Sequence, residues 1–147
     1  MPEPLYMMLC ASLAWVIAQG AKCVRIIRTD PKHFDPKRAL TYQGGMPSSH
    51  SAFVGAAAMS VYVIEGFSNS FAICVIFGAI IIRDATGVRK YVGEQARVLN
   101  AMLAREHSKS TDSLYLEERV GHQVADVLVG LLIGALAVGA VSLVDTP

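Results

Sequence analysis

The chain has 147 residues, of which 53% are hydrophobic and only 17% charged, against roughly 25% charged in an ordinary soluble domain. Its net charge of +1 gives no electrostatic footprint for a nucleic-acid partner. Length and composition together point to one integral membrane domain spanning residues 1–147.

The first apolar stretch runs from Leu5 to about Ile27, interrupted near its end by Gln19, Lys22 and Arg25. A bilayer core needs about 20 apolar residues per helix, so this stretch is long enough to cross. Glu3, not a basic cluster, precedes it, so no cleaved secretory signal is expected. Two shorter apolar stretches, Ser51 to Ile64 and Phe67 to Ile82, are joined by a turn containing Glu65-Gly66 and Ser68-Asn69-Ser70. They read as a helical hairpin in which Gly55, Ala56, Ala57, Ala58 and Gly78 permit close helix approach. Each is marginal as a span, and a re-entrant hairpin is the alternative.

Val92, Ala96, Leu99 and Leu103 then recur at three- to four-residue spacing, which predicts an amphipathic helix at the membrane surface or capping the bundle. A polar, mobile loop is expected from Ser108 to Ser113. The last apolar stretch, Val124 to Val144, carries Gly130 and Gly134 one turn apart, a pair that serves internal helix packing or a homodimer. The expected fold is therefore an all-α membrane bundle of about four transmembrane helices plus an amphipathic interfacial helix. Cys10, Cys23 and Cys74 are scattered in apolar stretches and read as small hydrophobes, with neither a disulfide framework nor a metal motif.

If the four stretches alternate across the membrane, all 13 Lys and Arg residues fall in the two linkers on one side or at the adjoining helix ends. The positive-inside rule makes that side cytoplasmic and puts both termini on the other.

Within the first linker stands GGMPSSHSAF, residues Gly44 to Phe53. Pro47 suits a helix start, with Ser48 and Ser49 in the first turn and His50 close behind. A helix N-terminus with unpaired N–H groups, serine hydroxyls and two glycines that admit a close anion can bind phosphate. The alternative is a capped helix start with an interfacial His50. RVGHQVAD places His122 and Asp126 four residues apart. On a helix they would share a face, the carboxylate fixing the imidazole tautomer and leaving the other nitrogen for a substrate. With phosphate as electrophile that nitrogen can itself be the nucleophile, and Arg119 one turn earlier can clamp phosphate oxygens. A plain helix-end pair is the alternative, although Asp126 in an apolar segment is costly without a partner. In RDATGVRK, Asp84 can pair with Arg83 or Arg89; otherwise Arg89, better suited than Lys90 to bidentate contact, can serve an anion. Alternating topology brings Lys22, Ser48, His50, Arg119, His122 and Asp126 to one side.

These residues resemble the type 2 phosphatidic acid phosphatase superfamily, whose pattern is K-x6-R-P, then P-S-G-H, then S-R-x5-H-x3-D. AQGAK, GGMPSSHSA, DATGVRK, EQARVLN and the final GH motif are similar to its small, divergent membrane branch, over nearly the whole chain. The resemblance implies that His122 is the nucleophile, Asp126 its orienter and His50 the acid for the leaving alkoxide. It further implies that Lys22, Ser48, Ser49 and Arg119 hold phosphate oxygens, and that no metal or other cofactor is needed. The chain departs from the pattern in Ser49 for glycine, in Arg28 one residue early with Thr29 in its place, and in the short gap from Arg119 to His122. Four expected helices also fall short of the usual six.

The expected function is a membrane phosphatase hydrolysing a lipid phosphate monoester of phosphatidate, phosphatidylglycerophosphate or polyprenyl phosphate type through a phosphohistidine. The alternative is a non-catalytic membrane protein that binds or transports an anionic lipid headgroup. A structural membrane subunit without a ligand is a third reading.

Overall fold

The computed structural model describes residues 1–29, 31, 34–39, 44–106 and 116–144. The polar loop expected between Ser108 and Ser113 lies outside them. The fold is helical: α1 (Glu3–Thr29), a 3-10 turn (Pro36–Arg38), α2 (Ser49–Glu65), α3 (Asn69–Thr86), α4 (Val88–Glu106) and α5 (Val124–Val144).

Local chemistry sets the helix ends. Ser48 caps α2 by accepting from the Ser51 N–H at 3.3 Å, and Ser68 caps α3 by accepting from the Phe71 N–H at 3.1 Å. The α2–α3 turn is closed by Gly66 at φ 66°, and Tyr62, Phe67 and Phe71 pack edge-on or tilted beside it with ring centroids 5.0 to 5.6 Å apart. Gly87 joins α3 to α4, its N–H donating to the Arg83 carbonyl at 2.9 Å. Gln19 of α1 donates to the Ala39 carbonyl at 2.7 Å and so ties the 3-10 turn to the bundle.

Helix α2 lies at the centre, packed on α1, α3 and α5, and α1 also packs on α5. The buried stripe of α1 is Tyr6, Cys10, Ala14, Ala18 and Lys22, a strict four-residue repeat. It meets Ala52 and Ala56 of α2 and Ala137, Val138 and Val141 of α5 in the core. The interior is thus mostly small residues, while Met8, Val16, Ile76, Phe77, Leu128 and Leu136 are all more than half exposed. Small residues inward and large apolar residues outward is the arrangement of a bundle whose solvent is lipid.

Gly130 and Gly134 serve this interior. A side chain on Gly130 would strike the Ser48 carbonyl, and one on Gly134 would come within 2.7 Å of the Ala52 carbonyl. The glycine pair is therefore used within the chain, where it lets α5 lie against the backbone of α2.

One expectation needs correction. Among the described residues three helical stretches, Glu3–Thr29, Asn69–Arg105 and Val124–Val144, are long and apolar enough to cross a membrane, where about four were expected. α2 has 17 residues between its Ser48 cap and Gly66. Its neighbours shield it, so a short apolar helix suffices there. Helix α4 forms where the amphipathic helix was expected, over Val88–Glu106. Of Val92, Ala96, Leu99 and Leu103, only Ala96 is buried, while Val92 and Leu99 are about half exposed. The reason is that α4 contacts the bundle through α3 and carries the returning strip 116–120 against Gly93 and Asn100.

Candidate active site

The C-terminal parts of α1 and α3 and the N-terminal ends of α2 and α5 meet at one end of the bundle. The Ser48 N–H donates to the Asp126 carbonyl at 3.0 Å, and the His122 N–H donates to the Ala85 carbonyl at 2.9 Å. Two backbone hydrogen bonds thus lock the histidine segment onto both halves of the α2–α3 hairpin.

His122 does not stand on the helix, as its spacing from Asp126 suggested. It belongs to the segment before α5, which begins at Val124. The Asp126 carboxylate accepts from the Gln123 N–H at 2.9 Å, capping its own helix end and turning the chain away before His122. Gly121, at φ 91°, makes the turn; a side chain there would come within 2.5 Å of the Lys90 backbone nitrogen. The two side chains still face each other, with His122 Nδ1 3.7 Å from Asp126 Oδ2. That is ion-pair range and longer than a hydrogen bond. Both residues are buried, and among the described residues Nδ1 has no hydrogen-bond partner.

The other wall is the Gly44–Ser48 segment. Gly44 and Gly45 both have left-handed backbones, and Gly44 packs on the Arg119 carbonyl so closely that no side chain fits. Pro47 precedes the helix instead of opening it, because Ser48 takes the cap. Ser48 Oγ also accepts from Ser51 Oγ at 2.9 Å, and Ser48 and Ser49 are both buried. A serine hydroxyl that accepts two bonds still has its own O–H to donate.

Lys22, only 2% exposed, comes in from α1 and interacts electrostatically with Asp126, His50 and His122. His50 is exposed at the edge of the cluster, within the fields of Arg89, Lys22 and Asp84. Arg89 Nε lies 2.6 Å from Asp84 Oδ2, so the pairing of Asp84 with Arg89 is the one realised; any anion bound by Arg89 shares it with this carboxylate. Lys90 and Arg119 have exposed side chains, and what Arg119 packs against Gly44 is its backbone. Arg28 is exposed at the end of α1.

Burial pushes the His122 imidazole below the ordinary histidine range, and the positive field of Lys22 adds to the shift. Asp126 opposes it, His50 reinforces it, and a hydrogen bond with the Gly45 backbone opposes it weakly. The balance favours a neutral ring, the form in which a nitrogen lone pair is available. Among the described residues no three His, Cys, Asp or Glu side chains converge as a metal site.

A sequence model described as the Divergent PAP2 family matches residues 5–137, which include every residue of this cluster. The chain belongs to that family. YuiD, an uncharacterized membrane protein of Bacillus subtilis (strain 168), is 40% identical over 110 residues, covering 66% of this chain and 70% of its own. No solved structure matches the chain. Membership of the Divergent PAP2 family ties the chain to a phosphatase-related superfamily.

In this Divergent PAP2 chain one residue of the site's support escaped the sequence reading. Asn100 of α4 donates to the Leu116 carbonyl at 2.9 Å and to Glu118 Oε1 at 2.8 Å, while its Oδ1 accepts from the Leu116 N–H at 3.0 Å. Its amide pairs with a backbone peptide as a strand would, and so anchors the strip that leads to His122. The available signal was an asparagine, a poor helix former, in the interior of a helical pattern.

Proposed function

We propose that this protein is an integral membrane phosphatase that hydrolyses a lipid phosphate monoester through a phosphohistidine at His122. The observation that carries the reading is a buried, neutral-leaning imidazole facing a buried carboxylate at 3.7 Å, with a buried lysine in the same field.

In this reading the Asp126 carboxylate, 3.7 Å from Nδ1, closes onto Nδ1–H when substrate binds, leaving Nε2 to attack phosphorus as the bond to the lipid oxygen breaks. A proton from His50 neutralises the departing alkoxide. Water then attacks the phosphorus and gives a proton back to His50, the P–N bond breaks, and inorganic phosphate leaves with His122 and His50 both restored. Lys22, Ser48, Ser49 and the first-turn N–H groups of α2 supply positive charge and donors to the three equatorial oxygens, with the most effect where the surroundings are apolar. Arg89 and Arg119 stand at the rim, Arg89 sharing its guanidinium between Asp84 and an incoming anion and Arg119 reaching one by rotation of its exposed side chain. In this reading the basic end is the cytoplasmic one and both termini lie on the other side.

The test is phosphate release by purified protein from phosphatidate, phosphatidylglycerophosphate and polyprenyl phosphate with chelator present, beside His122→Ala. Release that survives chelation and disappears in the variant is expected. Folded wild-type protein that binds these lipids and releases no phosphate would replace the reading with headgroup binding or transport.

A further inference from the structure

An apolar groove of about 620 Å³ opens beside the polar cluster, with His50 in its lining. It lies over α2, with Trp15 and Val16 of α1 on one side and Ile81 of α3 on the other, and Phe53 and Val54 between them. Ser12 is the polar residue at its far end. Val16 and Phe53 are 57% and 44% exposed, so the groove is open along its length to the surroundings of the bundle.

Its position fixes what fits it. Ser12 stands ten residues before Lys22 on α1, about 15 Å at 1.5 Å rise per residue. That is about half the 30 Å hydrocarbon core of a bilayer, the depth one leaflet's chain occupies. Positive charge is confined to one end, where Lys22 and Arg89 act on His50. An occupant must therefore be anionic at one tip and hydrocarbon over the rest. Resting on the phosphatase reading, we propose that the groove holds a hydrocarbon chain of the lipid phosphate, with the phosphate at His122 and His50 at the junction of the two parts.

Lipid tails are as apolar as the groove, so little is gained by transferring a chain into it. Its role is registration: a chain seated along α2 delivers the phosphate to His122 in a fixed position, and entry is lateral, with the headgroup kept at the interface.

Trp15 is the single tryptophan of the chain and lines the groove, which makes it a reporter. The full-length protein is placed in phosphatidylcholine vesicles, and Trp15 fluorescence is quenched with a non-hydrolysable phosphonate analogue of phosphatidate bearing dibrominated chains. Dibromo phosphatidylcholine is the comparison. Half-quenching is expected at about tenfold lower mole fraction of the phosphonate. Ser12→Phe, which fills the far end from an exposed position, should remove that preference, while Leu132→Phe on the outer face of α5 should keep it. Equal quenching by both lipids would mean bulk lipid only and overturn the proposal, as would a preference unchanged in Ser12→Phe. Phosphate release from a short-chain, water-soluble monoester is measured on the same preparation. Release without preferential quenching removes the groove and leaves the phosphatase; preferential quenching without release removes the phosphatase and leaves a lipid phosphate site.

Discussion

Ser48 and Asp126 are joined through their backbones, the Ser48 N–H donating to the Asp126 carbonyl at 3.0 Å. Each residue also caps a helix start, Ser48 through the Ser51 N–H and Asp126 through the Gln123 N–H. One hydrogen bond therefore sets the distance between the serine motif and the histidine motif, and it exists only because α5 approaches α2 over glycine.

That approach predicts the effect of adding one methyl group. Gly130→Ala would drive a Cβ into the Ser48 carbonyl, and overpacking of this kind costs about 1–3 kcal/mol. Gly139→Ala on the same helix meets nothing within 4 Å and should be neutral, or stabilising by about 0.5–1 kcal/mol. Thermal unfolding in detergent checks the pair, and equal midpoints for the two variants would contradict the packing described.

Asp126→Asn separates the carboxylate's two tasks. The asparagine side-chain oxygen can still accept from the Gln123 N–H, so that bond and the thermal midpoint should survive. The partner for the imidazole is lost, and phosphate release should fall by about a hundredfold or more. Measuring release and midpoint on one preparation distinguishes a lost catalytic partner from a lost fold.

Asn100 predicts an effect at a distance. Asn100→Leu leaves the Leu116 N–H and carbonyl without their side-chain partner, at a cost of about 1–3 kcal/mol if the strip stays buried. The strip should instead detach, so amide exchange at residues 116–122 should accelerate while exchange in the core of α1 and α5 stays slow. Phosphate release should fall with it, because His122 loses its approach path.

The buried imidazole of His122 gives a pH dependence of defined sign. Its folded pKa lies below the ordinary 6.5, so once pH drops under that value the unfolded chain binds the proton more readily than the folded one. The stabilisation from burying the neutral ring is whole above pH 6.5 and is lost as pH falls through the folded value. Thermal midpoints should therefore drop between about pH 7 and about pH 5, and less so in His122→Asn, which cannot titrate. Identical slopes for both proteins would refute the assignment.

Several features of the site were legible in order along the chain, and for a clear reason. Helical segments announce themselves by unbroken apolar runs, and all five helices fall close to the stretches read from the sequence. A helix start at this stretch was legible from its residue types, although Ser48, read as part of the first turn, is the cap in front of it. His122 and Asp126 were recognised as partners, yet the helix that was to align them begins after His122, because the carboxylate is spent on the Gln123 N–H. Nothing local distinguishes a histidine one residue before a helix from one inside it.

What the sequence by itself determined is the medium and the inventory: a chain of this apolarity must fold in lipid, and its cations, serines and two histidines must lie at segment ends. What only the tertiary structure decided is which of them meet. Lys22 is inside while Arg28 is outside, Arg89 is held by Asp84, and Asn100 steadies a strip that the linear pattern never joined to it. Burial depends on the rotation and spacing of packed helices, which the glycines and alanines of α2 and α5 set through backbone contact, and such contact is a property of pairs of helices that no single segment encodes.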